Sequence, residues 1–355
     1  MKKLIFTTII YLCFYCSACG QVTLDANGPG NTYELINAVL APGYNVVEAP
    51  DCSHPAFGRH INEVFDAELN TNVFRFFIHK TPDNDRCINF DRQRNEIKTY
   101  DKSPDNLLAV EGETVIYKWK FKIDAGFQPS SSFTHIHQIK SVGGPNASMP
   151  MYTLTLRKGS PDKLQLRYAE TNTQTTLSET DLTPFKGTWV AVVETITYGS
   201  SGSYNISINR VSDNATLFNY SDNDIVNWQL GASIARPKWG IYRSLNNPTD
   251  LRDETVLFAN FSIEEIENLD VDNFNSIRDT IVLVPNPTRG FVTLKTTKHI
   301  DYDAILLYDA LGKQIPTTKR LKKLKLDVSD LNAGLYYIVF TKSKQPIQVL
   351  KCMIQ

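Results

Sequence analysis

Apolar and polar residues alternate along much of this chain. In Thr114–Ile123, Val115, Tyr117, Trp119, Phe121 and Ile123 take one parity, and Lys118, Lys120 and Lys122 take the other. Successive side chains of a strand point to opposite faces, so the run predicts a half-buried strand. Similar period-two patterns recur in Phe133–Lys140, Tyr152–Arg157, Lys163–Tyr168, Trp189–Thr197, Ser203–Asn209 and Thr255–Ile263. Turn-forming clusters at 141–146 and 198–202 separate them. Helical periodicity is confined to short stretches, chiefly Thr32–Leu40. Many short strands divided by turns predict an all-β sandwich or jelly roll. Two curved sheets of this kind leave one concave face open, wide enough for an extended polymer.

The ends of the chain break the pattern. Lys2 and Lys3 precede an apolar run from Leu4 to Tyr15, and the small residues Ser17, Ala18 and Gly20 follow. That order of charge, apolar run and small residues predicts an export signal over 1–20, with the mature chain starting at Gln21. The run is short for a membrane span. Lipidation of Cys19 is the lesser alternative, because Cys16 stands where a lipoprotein signal has Leu. Past Ile263 the chain turns acidic, and a new strand-rich stretch begins near Ile281. The expected division is therefore a main domain over 21–265, a linker over 266–280 and a small second β-sandwich over 281–355.

Composition narrows the partners. The 355 residues carry a formal net charge of −1, so polyanion binding must rest on local patches. The basic run from Lys319 to Lys325 reads as a solvated strand pair, and no nucleic-acid partner is expected. Of the six cysteines, Cys52, Cys87 and Cys352 lie beyond the export signal. Cys52 and Cys87 are either two buried thiols or a disulfide, and an oxidising exterior favours the disulfide. Beyond the export signal no CxxC pair or histidine cluster with zinc spacing appears, so no metal ligands are assigned.

Candidate chemistry concentrates in four strands. Lys118, Lys120 and Lys122 form one cationic row, and Arg92, Arg94, Glu96 and Lys98 share a face if 91–100 is extended. Strand alternation puts His135 and His137 on one face, and Gln138 and Lys140 on the other. Lys238, Gly240 and Tyr242 share a face, and the glycine is expected to leave room beside the tyrosine for a ligand.

Arg94-Asn95-Glu96-Ile97-Lys98 resembles the Arg-Ser-Glu-Leu-Arg strand of jelly-roll, concanavalin-like alginate lyases. His135-Ile136-His137 resembles their Gln-Ile-His strand, and Lys238-Trp239-Gly240-Ile241-Tyr242 their Lys-Ala-Gly-x-Tyr strand. The Lys-to-Tyr spacing is also that of heparinase I-type lyases. The longer wording, Arg94 to Leu108 with Arg236 to Leu245, is most similar to jelly-roll ulvan lyases of marine Bacteroidota. His135 in place of Gln and Lys98 in place of Arg argue against alginate specificity. At the C-terminus, Val284–Gly290, Ile305–Lys313 and Leu331–Val339 resemble the type A sorting domain of the type IX secretion system. That resemblance implies a secreted protein that engages this secretion machinery.

The lyase resemblance implies β-elimination on an anionic, uronate-containing polysaccharide. Removing the C5 proton requires a neutralised carboxylate, a base, and an acid for the leaving O4. Tyr242 is expected as the acid and candidate base, with His137 or Lys122 as the second proton-transfer or neutralising group and Arg94 as a neutralising cation. Arg92, Lys118, Lys120, His135, Gln138, Lys140, Lys238 and Arg243 are expected to bind substrate. The logic requires no cofactor, and a structural calcium ion remains compatible with it. A monomer is expected. The competing readings are a lyase for heparin-like, alginate or glucuronan chains, a glycoside hydrolase with two carboxylates, and a non-catalytic carbohydrate-binding protein.

Overall fold

The strand Thr114–Ile123 is buried at every second residue, as its alternation requires. In the computed structural model, which describes residues 21–266, 281–296, 302–310, 312–317, 321–322, 324–342 and 345–355, it lies in one of two large stacked sheets. The expected export signal (1–20), the linker from 267 to 280, and Lys319, Arg320 and Lys323 of the basic run lie outside the described residues. The chain divides into two compact units, one ending at 268 and one starting at 269.

The first unit is a jelly-roll sandwich. One sheet comprises β1 (Val22–Leu24), β3 (Ile61–Asp66), β4 (Thr71–Ile78), β6 (Thr114–Ile123), β11 (Val190–Thr197), β12 (Gly202–Arg210), β13 (Thr216–Ile225) and β15 (Glu254–Ile266). The other comprises β2 (Val47–Glu48), β5 (Arg92–Lys98), β7 (Thr134–Val142), β8 (Tyr152–Arg157), β9 (Lys163–Tyr168), β10 (Thr175–Asp181) and β14 (Ile234–Ser244). The spatial order of the second is β10-β9-β8-β7-β14-β5-β2, every pairing antiparallel. The α-helix Thr32–Leu40 forms as its periodicity predicts, burying Ile36 and Leu40.

Aromatic rings join the layers. Trp119 of β6 meets Trp239 of β14 edge-on at 6.0 Å, and Trp239 packs on Phe261 of β15 at 5.1 Å. These rings are almost fully buried. Each fully buried aromatic contributes about 1.5–3 kcal/mol by leaving water. The core therefore clamps β14 between β5 and β7, and those three strands carry most of the side chains described below.

Two irregularities break the alternation at the centre of this sheet. The β7–β8 register shifts between His135 and His137, and the β7–β14 register shifts between Trp239 and Tyr242. Gly240 sits in the second bulge with φ +146°. A Cβ there would lie 2.7 Å from Glu96 Cα, so only glycine lets β14 approach β5 this closely.

In the second unit, Ile281–Val284, Phe291–Thr296, Lys325–Asp327 and Leu321–Lys322 form one sheet. Gln314–Ile315, Ala304–Asp309, Gly334–Lys342 and Gln345–Ile354 form another. Val292 and Leu294 from the first share a core with Leu307, Ile338 and Phe340 from the second.

Candidate active site

A cleft of about 590 Å³ runs along the open face of the β14 sheet. Arg92 and Arg94 of β5, His135, Gln138 and Lys140 of β7, Arg157 of β8 and Arg236, Lys238 and Tyr242 of β14 line it. Antiparallel register puts Tyr242 beside Arg94 on one side and His135 on the other.

Tyr242 is held by cations. Arg94 lies over its ring, and Arg92 Nη1 donates to its Oη at 2.9 Å. Phe133 packs on the tyrosine ring at 5.1 Å and stacks on His135 at 4.9 Å. The His135 and Tyr242 centroids are 5.9 Å apart. His135 Nδ1 pairs with Thr155 Oγ1 at 2.8 Å, which leaves Nε2 as the nitrogen available to the groove. Burial pulls the His135 pKa down to about 3, so the ring is neutral under ordinary conditions.

The floor is an ion-pair network. Lys238 Nζ contacts Glu48 and Glu96, and Lys98 Nζ reaches Glu48 at 2.7 Å. Arg94 bridges Glu96 and Asp85, the latter at 3.0 Å. Gln138 Nε2 donates to the remaining Glu96 oxygen. Burial alone would raise the pKa of Glu48, but Lys238, Lys98 and Arg94 outweigh it and hold the carboxyl below its usual range. Burial likewise opposes ionisation of Glu96, and Lys238 and Arg94 again prevail. Both carboxylates are therefore ionised.

The walls differ from the floor. Lys140, Arg157 and Arg236 have no ion-pair partner among the described residues. Lys140 donates to the Ser148 carbonyl at 3.0 Å and Arg236 to the Thr99 carbonyl at 3.0 Å. The Nε atoms of Arg157 and Arg236 are buried without a hydrogen-bond partner.

Several residues expected at the site lie elsewhere. Lys118, Lys120 and Lys122 do share a face, but it is the outer face of the other sheet, where Lys118 pairs with Glu264 at 3.1 Å and Lys122 with Glu68 at 2.7 Å. His137 is turned into the core by the β7 bulge. Its Nε2 meets Glu194 at 2.8 Å, its Nδ1 meets the Lys238 carbonyl at 2.9 Å, and its ring lies 4.3 Å from Trp119. The bulge also puts Gln138 and Lys140 on the same side as His135. Arg243 has core parity, is fully buried and is held by Gln93 and the Arg252 carbonyl. The space expected beside Gly240 is filled by the β5 backbone.

Sequence reasoning missed Glu48, Asp85 and Arg86 as groove residues. Glu48 sits in a two-residue strand that carries no period, and Asp85 and Arg86 lie in a loop. The loop is tied down by the Cys52–Cys87 disulfide, which the structure contains.

The family model described as polysaccharide lyase matches residues 70–262, and the one described as secretion system C-terminal sorting domain matches residues 282–355. The second match marks a secreted or cell-surface protein with a type IX sorting tail. No curated protein sequence matches the chain. Among solved structures, the alginate lyase from Aplysia kurodai is 14% identical, with a TM-score of 0.48 over 69% of this chain and 98% of its own. The endo-β-1,4-glucuronan lyase from Trichoderma reesei is 15% identical, with a TM-score of 0.43 over 57% of this chain and 86% of its own.

Proposed function

We propose that this chain, which belongs to the polysaccharide lyase family, cleaves a sulfated, uronate-containing polymer of the ulvan class by β-elimination. The observation that carries the reading is the pairing of a neutral, buried His135 with a cation-flanked Tyr242 on the adjacent strand. His135 Nε2 takes the C5 proton. The electron pair left at C5 forms the C4–C5 double bond while the C4–O4 bond breaks, and Tyr242 Oη protonates O4. Proton return from His135 to the phenolate, through solvent, resets the site. Arg92, held by Asp91 through Nε and Nη2, presents Nη1 beside Tyr242 Oη and is the cation placed to neutralise the uronate carboxylate, on which charge develops as the proton leaves.

The unpaired wall cations support a polymer with more negative groups than one carboxylate per uronate. Lys140, Arg157 and Arg236 offer donors spaced along the cleft for sulfates or further carboxylates. A glycoside hydrolase would need a carboxylic acid kept protonated to serve the leaving group. Glu48, Glu96 and Asp85 are the acids at the floor, and neighbouring cations hold all three ionised.

The test offers ulvan, alginate, heparin and glucuronan to the purified protein and follows ultraviolet absorbance from the new double bond. Ulvan should give rapid absorbance and fragments with an unsaturated uronate at the non-reducing end. Absorbance from another polymer with none from ulvan would reject the substrate assignment. Cleavage without absorbance would reject elimination itself.

A further inference from the structure

Three histidines surround one carboxylate at the edge of the first unit, outside the cleft. His54 lies in the turn after Cys52, His60 directly precedes β3, His79 directly follows β4, and Asp83 sits in the loop beyond. Asp83 Oδ1 is 3.1 Å from His54 Nδ1 and 3.3 Å from His60 Nε2, and Asp83 Oδ2 is 3.1 Å from His79 Nδ1. One ligand atom from each of the four lies within 4.8 Å of every other.

A second observation points the cluster at a ligand. His60 is fully buried, and its Nε2, 3.3 Å from Asp83 Oδ1, makes no hydrogen bond of good geometry among the described residues. Leaving a buried polar atom unsatisfied costs about 1–3 kcal/mol. Its other nitrogen, Nδ1, is 2.8 Å from Asp51 Oδ1, and Asp51 is itself fixed by the Tyr33 hydroxyl at 2.9 Å. A carboxylate that accepts the Nδ1 proton of a histidine orients the ring and leaves the Nε2 lone pair free for a metal.

We propose that His54, His60, His79 and Asp83 form a four-ligand zinc site. Tetrahedral bonds of about 2.0–2.1 Å separate neighbouring ligand atoms by about 3.3 Å. Asp83 Oδ1 stands 3.1 Å from His54 Nδ1 and 3.3 Å from His60 Nε2, and both distances match that edge. Three imidazoles with one carboxylate suit Zn²⁺ and not Ca²⁺, which takes 6–8 oxygens. Four protein ligands leave no position for a reacting water, so the site is structural. It joins the entry of β3, the exit of β4 and the loop that leads to Cys87. Gln93 of β5 donates to the Asp83 and His79 carbonyls, and Asp85, two residues on, holds Arg94. The metal thereby braces the loop that presents Asp85 and Arg86 to the groove.

The test uses the untagged full chain, stripped with a strong chelator, with Zn²⁺ alone as the probe. One zinc per chain should bind and raise the unfolding temperature, and neither Ca²⁺ nor Mg²⁺ should substitute. Co²⁺ in its place should give the intense visible bands of a tetrahedral ion. His54 and His79 are partly exposed, so H54Q and H79Q are the variants least disruptive to the fold. Each should weaken zinc at least about tenfold. Folded variants that bind zinc as tightly as the parent overturn the proposal. So does a parent protein that takes up no stoichiometric zinc, whatever the variants do.

Discussion

The guanidinium carbon of Arg94 stands 3.7 Å from the centroid of the Tyr242 ring. The stack orients the phenol from its face while Arg92 holds its oxygen from the side. Tyr242→Phe keeps the stack and removes the hydroxyl. The kcat should fall on the order of a hundredfold or more, with KM little changed. Arg94→Lys loses both the planar stack and the fork between Glu96 and Asp85, so it should lower kcat and the unfolding temperature together. Double-bond formation and thermal unfolding on the two variants check this, and near-normal turnover by Tyr242→Phe would remove the tyrosine from the mechanism.

The pH profile should report His135. Its ring is held near a pKa of about 3 in the fold against an ordinary 6.5. A neutral base is therefore present far below pH 6.5, and the acid limb of kcat/KM should lie well under that value. The same shift has a stability consequence. The unfolded chain binds this proton more readily than the folded one, so stability is lost as pH falls from 6.5 toward 3. His135→Asn should reduce kcat on the order of a hundredfold and soften the acid sensitivity of unfolding. An acid limb centred at 6.5 contradicts the assignment.

Lys140 should set an alkaline limit on binding. Burial, reinforced by Lys238, Arg236 and Arg94, brings its pKa down to about 8. The ammonium is charged below that pH and neutral above it, so KM for a polyanion should climb as pH passes 8. Lys140→Arg keeps its charge and should flatten the rise. Initial rates at several substrate concentrations across pH 7–9 separate this from any change in kcat.

The core histidine and the outer lysines should behave unlike groove residues. Replacing Lys118, Lys120 and Lys122 together by Ala is expected to leave KM within about twofold, because exposed charges on the opposite sheet are screened from the cleft. His137→Ala leaves Glu194 and the Lys238 carbonyl without their buried partner, costing at least about 1–3 kcal/mol. Denaturant unfolding should record that loss. A KM that rises several-fold in the triple variant would restore the lysine row to substrate binding.

Much of the fold was legible in local alternation, and less of the site was. Val115 to Ile123 declared their strand and its buried face without help. Which sheet that strand joins depends on pairing with β11 and β15, far away in sequence, so the lysines were assigned to the wrong surface. The two histidines of β7 were read by parity, which one bulge reverses. Glu48 and Asp85 lack any periodic context, and only tertiary pairing with Lys238 and Arg94 gives them meaning. The zinc ligands escaped notice because His54, His60 and His79 come from separate segments, and no spacing rule spans two strand ends and a disulfide loop.

The pairing of Lys238 with Glu48 and Glu96 makes the middle of the cleft self-sufficient before any sugar arrives. A polyanion finds little net attraction there. Its grip comes from Lys140, Arg157 and Arg236 along the walls, beside this balanced stretch. Such a surface works as a comb whose teeth are positive and whose gaps are neutral. It measures the interval between negative groups on a chain more than their number, so two polymers of equal charge density but different repeat length would be told apart by register.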